Sequence, residues 1–123
     1  KLMPLLQKGA TLDPTVVTPA QTLAAATSVG AKAMGFENLG LIKEGYIADL
    51  ILINSKTPHM TPSIHLESNL IYALQGSDVT LTMVDGKVLY RDGEYLTIDA
   101  EKTLREAKTG AEDMYRRYHE LNG

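Results

Sequence analysis

A mixed α and β chain, with helices toward both ends and a short β unit between them, is the fold class this sequence predicts. Three observations carry that reading. Thr18-Pro19-Ala20-Gln21 spells a helix start, because a threonine cap, a proline in the first helical position and a glutamine two residues later can satisfy the free backbone donors reciprocally. Asp85-Gly86 and Asp92-Gly93 lie between β-prone runs, and Asp-Gly supplies the positive φ that tight hairpins need. Leu104, Ala107, Ala111, Met114, Tyr118 and Leu121 recur three and four residues apart, the period of one apolar stripe on a helix.

Taken in order, residues 1–8 read as the end of a helix with Gly9 in the stop position. The helix opened by Thr18 should run to about Met34 and stop at Gly35, its inner face being Leu23, Ala26, Gly30 and Ala33. After Gly40 and Gly45, residues 47–53 read as a buried strand, since Ile51-Leu52-Ile53 continues without polar alternation. Residues 54–68 form a loop with two prolines and two histidines, and 69–75 a short helix started by Ser68. Val79 to Val84 alternate as a half-buried strand should, Lys87 to Tyr90 return, and Tyr95 to Ile98 follow the second turn. Asp99 caps the last helix. There the pairs Glu101–Arg105, Glu112–Arg116 and Asp113–Arg117 have favourable spacing, and Gly110 costs about 1 kcal/mol relative to alanine.

Composition bounds the function. The 123 residues suit one ordinary domain, with 44% apolar and 22% charged side chains. A formal charge of −3 disfavours nucleic acid and anionic membranes as partners. Without cysteine there are no disulfides, thiolate metal sites or thiol nucleophiles; the absence fits a reducing interior, and a cytoplasmic location is expected. No apolar run approaches the roughly 18 residues of a membrane span, and the first residues do not resemble a signal peptide. A start at Lys1, within what reads as the last turn of a helix, suggests a piece of a longer polypeptide.

The candidates for chemistry are few. His65-Leu66-Glu67 matches the HxE of zinc nucleobase deaminases, but the PCxxC segment that completes such a site is missing. His59 and His65 stand six apart in a proline-rich loop, which is no ligand spacing, and His119 belongs to the polar part of the last helix. GxSxG, HExxH, GxGxxG and P-loop patterns do not occur. Tyr115 and Tyr118 read as helix packing. Asp49 stands at the mouth of the apolar strand. There a carboxylate more readily fixes a turn, by accepting N–H bonds from the turn before it, than serves as an acid or base.

The run GLIKEGYIADLILI, followed after a spacer by NLIYALQGSDVTLTMVDGKVLYRDGEY, resembles the C-terminal end of the amidohydrolase superfamily. It is most similar to the branch holding 5-methylthioadenosine/S-adenosylhomocysteine deaminases and ethylammeline-type triazine chlorohydrolases. The likeness covers nearly the whole chain: ATSVGAKAMGFENLG looks like the helix after the last barrel strand, TPHMTP like the return loop and VDGKVL like the closing hairpin. It implies residues 1–38 as the last helices of an incomplete TIM-type (β/α)8 barrel. Residues 39–54 and 78–98 would be strands of a composite β-sandwich, 55–77 the return loop and short helix, and 99–123 a C-terminal amphipathic helix. The family holds a divalent metal, expected to be zinc, through an HxH pair, further histidines and an aspartate; Asp49 corresponds to a structural position.

This sequence contains no HxH, so no catalytic, cofactor-binding or metal residue carries over to it. The expectation is a C-terminal fragment, or a split part, of an enzyme that hydrolyses C–N or C–Cl bonds of an N-heterocycle or adenosine-like nucleoside. Alone it would be a scaffold without activity or cofactor. Its partners would be the missing N-terminal part or further copies of itself, since a fragment leaves the Ile51-Leu52-Ile53 strand and the small-residue helix face unsatisfied. A free-standing interaction module is the alternative; a rigid monomer would favour it, and dimers or larger species by light scattering the fragment. A new metal site built from His59, His65, Glu67 and Asp49 is a third possibility, tested by metal analysis.

Overall fold

The computed structural model describes residues 1–122. The N-terminal half is helical. Helix α1 covers Leu2–Thr11, α2 Pro19–Ala26 and α3 Ser28–Ala33. The expected cap at the start of α2 is present: Gln21 N–H donates to the Thr18 hydroxyl at 3.3 Å and Thr18 N–H to the Gln21 side chain at 2.8 Å. Two boundaries differ from expectation. Helix α1 runs past Gly9 to Thr11 and ends with Leu12 in the left-handed region at φ 54°. Its end is held by the Thr11 hydroxyl on the Gln7 carbonyl at 2.8 Å and by Lys8 Nζ on the Pro14 carbonyl at 2.7 Å.

The long helix expected from Thr18 to Met34 is two helices broken at Thr27, whose φ is −125° and ψ −104°. Local chemistry explains the break. The Thr27 hydroxyl donates to the Leu23 carbonyl at 2.8 Å, a back-bond that competes with helical geometry. Gly40, at φ +85°, is also pressed onto the break: a Cβ there would lie 2.6 Å from the Thr27 carbonyl carbon. Only glycine allows both that approach and that φ. Helix α3 stops as predicted, with Gly35 at φ +87°.

The β unit is one antiparallel sheet in the order β1-β2-β3-β4, with β1 at Leu50–Ile53, β2 at Val79–Val84, β3 at Lys87–Arg91 and β4 at Glu94–Tyr95. Both Asp-Gly turns have the positive φ pair predicted for them, 49° and 74° at Asp85 and Gly86 and 46° and 98° at Asp92 and Gly93. The expected fourth strand from Tyr95 to Ile98 shortens to Glu94–Tyr95. Leu96 N–H makes one further bond to the Leu89 carbonyl at 2.9 Å, after which Asp99 opens helix α5, Ala100–Asn122. Helix α4 is Leu66–Tyr72 rather than 69–75. It starts earlier because the His65 carbonyl already accepts Asn69 N–H at 3.1 Å, while the Asn69 amide is engaged by the Met60 and Pro62 carbonyls at 2.8 and 3.1 Å.

The buried core is small: Ala31, Met60, Ile71 and Leu81, with Pro4, Thr22 and Asp78 beside them. Helix α2 packs on α1, α3 and α4. The strand expected to be buried is not: Ile51 is 48% and Leu52 53% exposed. The apolar run forms the strand, but nothing among the described residues covers it on both faces. The pairs on α5 also rearrange. Arg117 bonds Asp113 at 2.6 Å as expected, whereas Arg116 also turns to Asp113, Glu112 lies 4.0 Å from Lys108 and Glu106 lies 3.8 Å from Lys102. At a water-facing surface such exchanges cost little.

Candidate functional site

The residues that sequence singled out do not converge. Asp49 lies just before β1, where its carboxylate accepts the Asp85 N–H of the β2–β3 turn at 2.7 Å. Beside that bond, Gly86 N–H donates to the Ala48 carbonyl at 3.1 Å. Asp49 therefore does fix a turn, but one 36 residues ahead of it rather than the one before it. It locks the tip of the hairpin to the entry of β1.

His65 sits at the N-terminus of α4 and Glu67 in its first turn, in a shallow surface hollow with Pro19 and Ile64. His119 has its ring edge-on to Tyr115, with centroids 4.4 Å apart. His59 alone enters a polar constellation, and its partner is a residue the sequence reading missed. The His59 Nε2–H donates to Asp78 at 2.7 Å, with the Thr57 hydroxyl 3.2 Å from the same nitrogen. Asp78 is 4% exposed and also accepts Gln75 N–H at 2.9 Å. The His59 hydrogen bond, then the Gln75 N–H, hold the Asp78 carboxyl below its ordinary pKa, against the opposing pull of desolvation. The signal available in the sequence was Gln75-Gly76-Ser77-Asp78, an acid three residues after a position whose N–H it can accept.

This pair closes the loop from 54 to 78. The Asn54 N–H meets the Asp78 carbonyl at 2.8 Å, Met60 is fully buried beneath, and His59 bolts the loop to the start of β2. Its chemistry is structural. With Nε2 committed to Asp78 and no group of three or more histidine, aspartate or glutamate side chains placed to hold a metal ion among the described residues, these residues do not fit a zinc centre. No hydrolytic step is derived through one.

The surface features with functional content are apolar. In one row across the sheet stand Ile51, Thr82, Tyr90 and Tyr95, in register from β1 to β4. With Leu89 and Ile98 they line an open groove. The Tyr90 and Tyr95 rings lie 5.3 Å apart, and Ile51, Tyr95 and Ile98 are each about half exposed, at 48%, 54% and 54%. A second groove, between α2 and β1, is lined by Leu23, Leu41, Ile42, Leu50 and Leu70. Strand β1 has no neighbour on its outer side among the described residues. It is an apolar edge without the lysine or proline that commonly guards one. The Tyr72 hydroxyl is buried with no hydrogen-bond partner among the described residues. No helix among the described residues is long and apolar enough to cross a membrane.

The fold of this chain has known counterparts. The amidohydrolase family model matches residues 1–89. The chain belongs to the amidohydrolase family. Among curated relatives it is 44% identical over 117 residues to a 5′-deoxyadenosine deaminase of Methanosarcina acetivorans, covering 95% of this chain and 27% of that protein. To a 5-methylthioadenosine/S-adenosylhomocysteine deaminase of Moorella thermoacetica it is 48% identical over 99 residues, covering 80% of this chain and 23% of the other. An adenosine deaminase from Xanthomonas campestris, solved with bound zinc, superposes with a TM-score of 0.88 at 30% identity over 93% of this chain and 26% of that one. The zinc-containing atrazine chlorohydrolase TrzN of Arthrobacter aurescens shares the fold, with a TM-score of 0.68 at 22% identity over 75% of this chain and 20% of that one. The chain thus spans about a quarter of the length of the family members it matches.

Proposed function

We propose that this chain is the C-terminal, scaffolding part of a metal-dependent amidohydrolase whose whole polypeptide deaminates an adenosine-like nucleoside, and that the isolated chain is catalytically inert. The observation that carries this reading is the open side of the sheet: the unguarded edge of β1 together with the row Ile51, Tyr90 and Tyr95, whose two ends, Ile51 and Tyr95, are half exposed. An apolar edge strand beside a half-exposed apolar face is a surface shaped to be extended and covered. The occupant is the N-terminal part of the enzyme, which supplies further strands to the sheet and the barrel to which residues 1–38 contribute the last helices. The orphaned Tyr72 hydroxyl supports this, since a buried donor without an acceptor costs about 1–3 kcal/mol until one is supplied.

Deamination is favoured over dechlorination because the relatives at 41–48% identity are named as deaminases of 5′-deoxyadenosine or of 5-methylthioadenosine and S-adenosylhomocysteine. The triazine hydrolase likeness is one of fold. The metal donors belong to the N-terminal part, and this chain holds the hairpin, loop and helices that brace them from outside.

The test is ammonia release from 5′-deoxyadenosine and 5-methylthioadenosine with zinc supplied. The chain alone should show none. Co-expressed with a Methanosarcina acetivorans deaminase truncated of the matching 27%, it should restore turnover. Activity of the purified chain alone, abolished by a chelator, would overturn the proposal.

A further inference from the structure

The sequence contains two Asp-Gly pairs, Asp85-Gly86 and Asp92-Gly93, and the fold puts each in a two-residue hairpin turn of the same sheet. Aspartate and glycine have positive φ in both, 49° and 74° in the first and 46° and 98° in the second. All four residues are exposed, and a Cβ built on either glycine would meet no atom within 4 Å. Asp-Gly is also a pair prone to cyclise on itself. The glycine nitrogen is shielded by no side chain, and its bond to the aspartate Cγ closes a five-membered ring. By sequence and turn geometry the two sites are equal. Their hydrogen bonds make them different.

At the first turn, Gly86 N–H donates to the Ala48 carbonyl at 3.1 Å and Asp85 N–H to the Asp49 carboxylate at 2.7 Å. At the second, Asp92 N–H donates to the Thr80 carbonyl at 2.8 Å, but Gly93 N–H has no acceptor among the described residues. The difference falls on the atom that reacts. Ring closure requires the Asp–Gly peptide plane to turn over. The aspartate ψ goes from about 30°, as in a type I′ turn, to about −120°, as in type II′. Both turn types keep φ positive at the first residue and suit two-residue hairpins, so the strands stay paired during the flip. Aspartate is strained in the first position of a type II′ turn, where glycine is usual, but that strain is common to both sites. In the second turn the flip takes no bond from Gly93; in the first it pulls Gly86 N–H off the Ala48 carbonyl.

We propose that Asp92-Gly93 is a self-modification site, where the backbone converts to isoaspartate through a cyclic imide, and that the contacts to Ala48 and Asp49 spare Asp85-Gly86. The Gly93 nitrogen attacks Asp92 Cγ. An N–C bond forms, the Cγ–O bond of the carboxylic acid breaks, and the amide proton leaves with the hydroxyl as water. Water then adds back to the imide. Addition at Cγ restores aspartate, whereas addition at the backbone carbonyl breaks the old peptide bond and leaves Gly93 joined through Cγ. The composition is unchanged overall, and water is the only co-reactant.

The product carries one extra methylene in the main chain between Arg91 and Glu94, which face each other across β3 and β4. It therefore displaces Tyr95 from Tyr90, whose rings lie 5.3 Å apart, and loosens the bond from Leu96 N–H to the Leu89 carbonyl. The chemistry stands apart from the scaffolding role proposed above. Only its consequence for the sheet face, which ends at Tyr95, rests on that reading.

The test holds the native chain at physiological pH and temperature for weeks. Its peptides are then mapped by mass spectrometry with electron-transfer fragmentation, which distinguishes isoaspartate from aspartate at equal mass. Isoaspartate at 92 should exceed that at 85 by about two- to tenfold, the factor by which one hydrogen bond lowers the open fraction of a turn. The same chain aged in urea should give near-equal yields, since no folded turn then separates the sites. Asp49→Ala frees the turn tip that is held against Ala48, and should raise the yield at 85 by about two- to tenfold with 92 unchanged. In the converted fraction, amide exchange at Leu96 should quicken while the β2–β3 ladder keeps its protection. Equal yields at 85 and 92 in the folded chain would overturn the proposal. So would the same excess at 92 in urea, which would assign it to the neighbouring residues rather than to the fold. Isoaspartate at 92 in urea but none in the folded chain would mean that the hairpin blocks ring closure, and would overturn it too. An Asp49→Ala chain with no rise at 85 would remove the lock and with it the proposal.

Discussion

The junction between the 54–78 loop and β2 is closed on itself, while the sheet face beyond β1 is open. In the junction, Met60 is fully buried, Asp78 is 4% exposed and bonded to both His59 and Gln75, and Asn69 binds two loop carbonyls. On the open face Ile51 stands half exposed although isoleucine is among the residue types most often buried, and the largely apolar ring of Tyr95 is half exposed beside it. The contrast separates what this polypeptide folds for itself from what it holds ready for another surface. Polar groups are paired at short range where the chain is self-sufficient, and apolar area is left over where it is not.

If the junction is self-sufficient, the largest stability effect should come from its centre. Met60→Ala removes a fully buried side chain and should cost about 2–5 kcal/mol, measured as a lowered urea midpoint at unchanged slope. An unmoved midpoint would mean that the junction is not a folding core at all, and the comparison would collapse.

Acid should come next. The Asp78 carboxyl is held below its ordinary pKa by His59 and Gln75, so its charged form is favoured in the folded state. Its contribution is complete above the ordinary carboxylate range and drains away as pH falls through the lowered folded value, because the unfolded chain then binds the proton more readily. Thermal midpoints should therefore drop on acidification below the carboxylate range, and Asp78→Asn should remove much of that drop. Asp13, likewise lowered by the Thr15 hydroxyl and N–H, adds in the same direction from an exposed loop. A variant that keeps the full acid dependence would move its origin away from the junction.

The two regions were unequally legible in the sequence. Signals that act within a few residues were readable: the Thr18–Gln21 cap, the positive-φ turns at Asp85-Gly86 and Asp92-Gly93, and the Asp99 cap, whose side chain accepts Lys102 N–H at 2.9 Å. What failed depended on distant partners. The break at Thr27 needs Gly40, 13 residues on, and the His59–Asp78 bond joins positions 19 apart. The pattern of the Leu50–Ile53 strand announces burial, but the pattern records only what the residues are suited to, and the covering surface is not among the described residues. Family membership was legible because the run from Gly40 to Tyr95 fixes turn chemistry, strand order and return loop together. The candidate donors do not come together as a metal site: Asp49 precedes β1, His59 lies in the 54–78 loop, and His65 and Glu67 stand at the start of α4.

A smaller effect tests the hinge between the regions. Asp49→Ala leaves the Asp85 N–H without its carboxylate partner at 2.7 Å. The site is exposed, so water replaces part of the bond and the loss should be about 0.5–1.5 kcal/mol. Amide exchange should quicken at Asp85 and Gly86 while the β2–β3 ladder keeps its protection. Loss of the whole ladder would make Asp49 a determinant of the sheet rather than a lock on its turn.

The smallest effect on stability should come from the open face, and its smallness is informative. Ile51→Thr keeps a β-branched residue in β1, opposite Thr82, and removes apolar area that is already 48% exposed. Unfolding of the isolated chain should shift by no more than about 0.5 kcal/mol. The same change should weaken association through the sheet, seen as a smaller average mass in light scattering, and lower the activity restored with a truncated relative. These two responses distinguish a docking surface from a core position, since a core residue loses stability first and binding only in consequence. A loss near that of Met60→Ala would show that Ile51 is covered within the isolated chain and that the face is not open. An unchanged unfolding curve with impaired reassembly means that the exposed row serves a surface the chain does not itself provide.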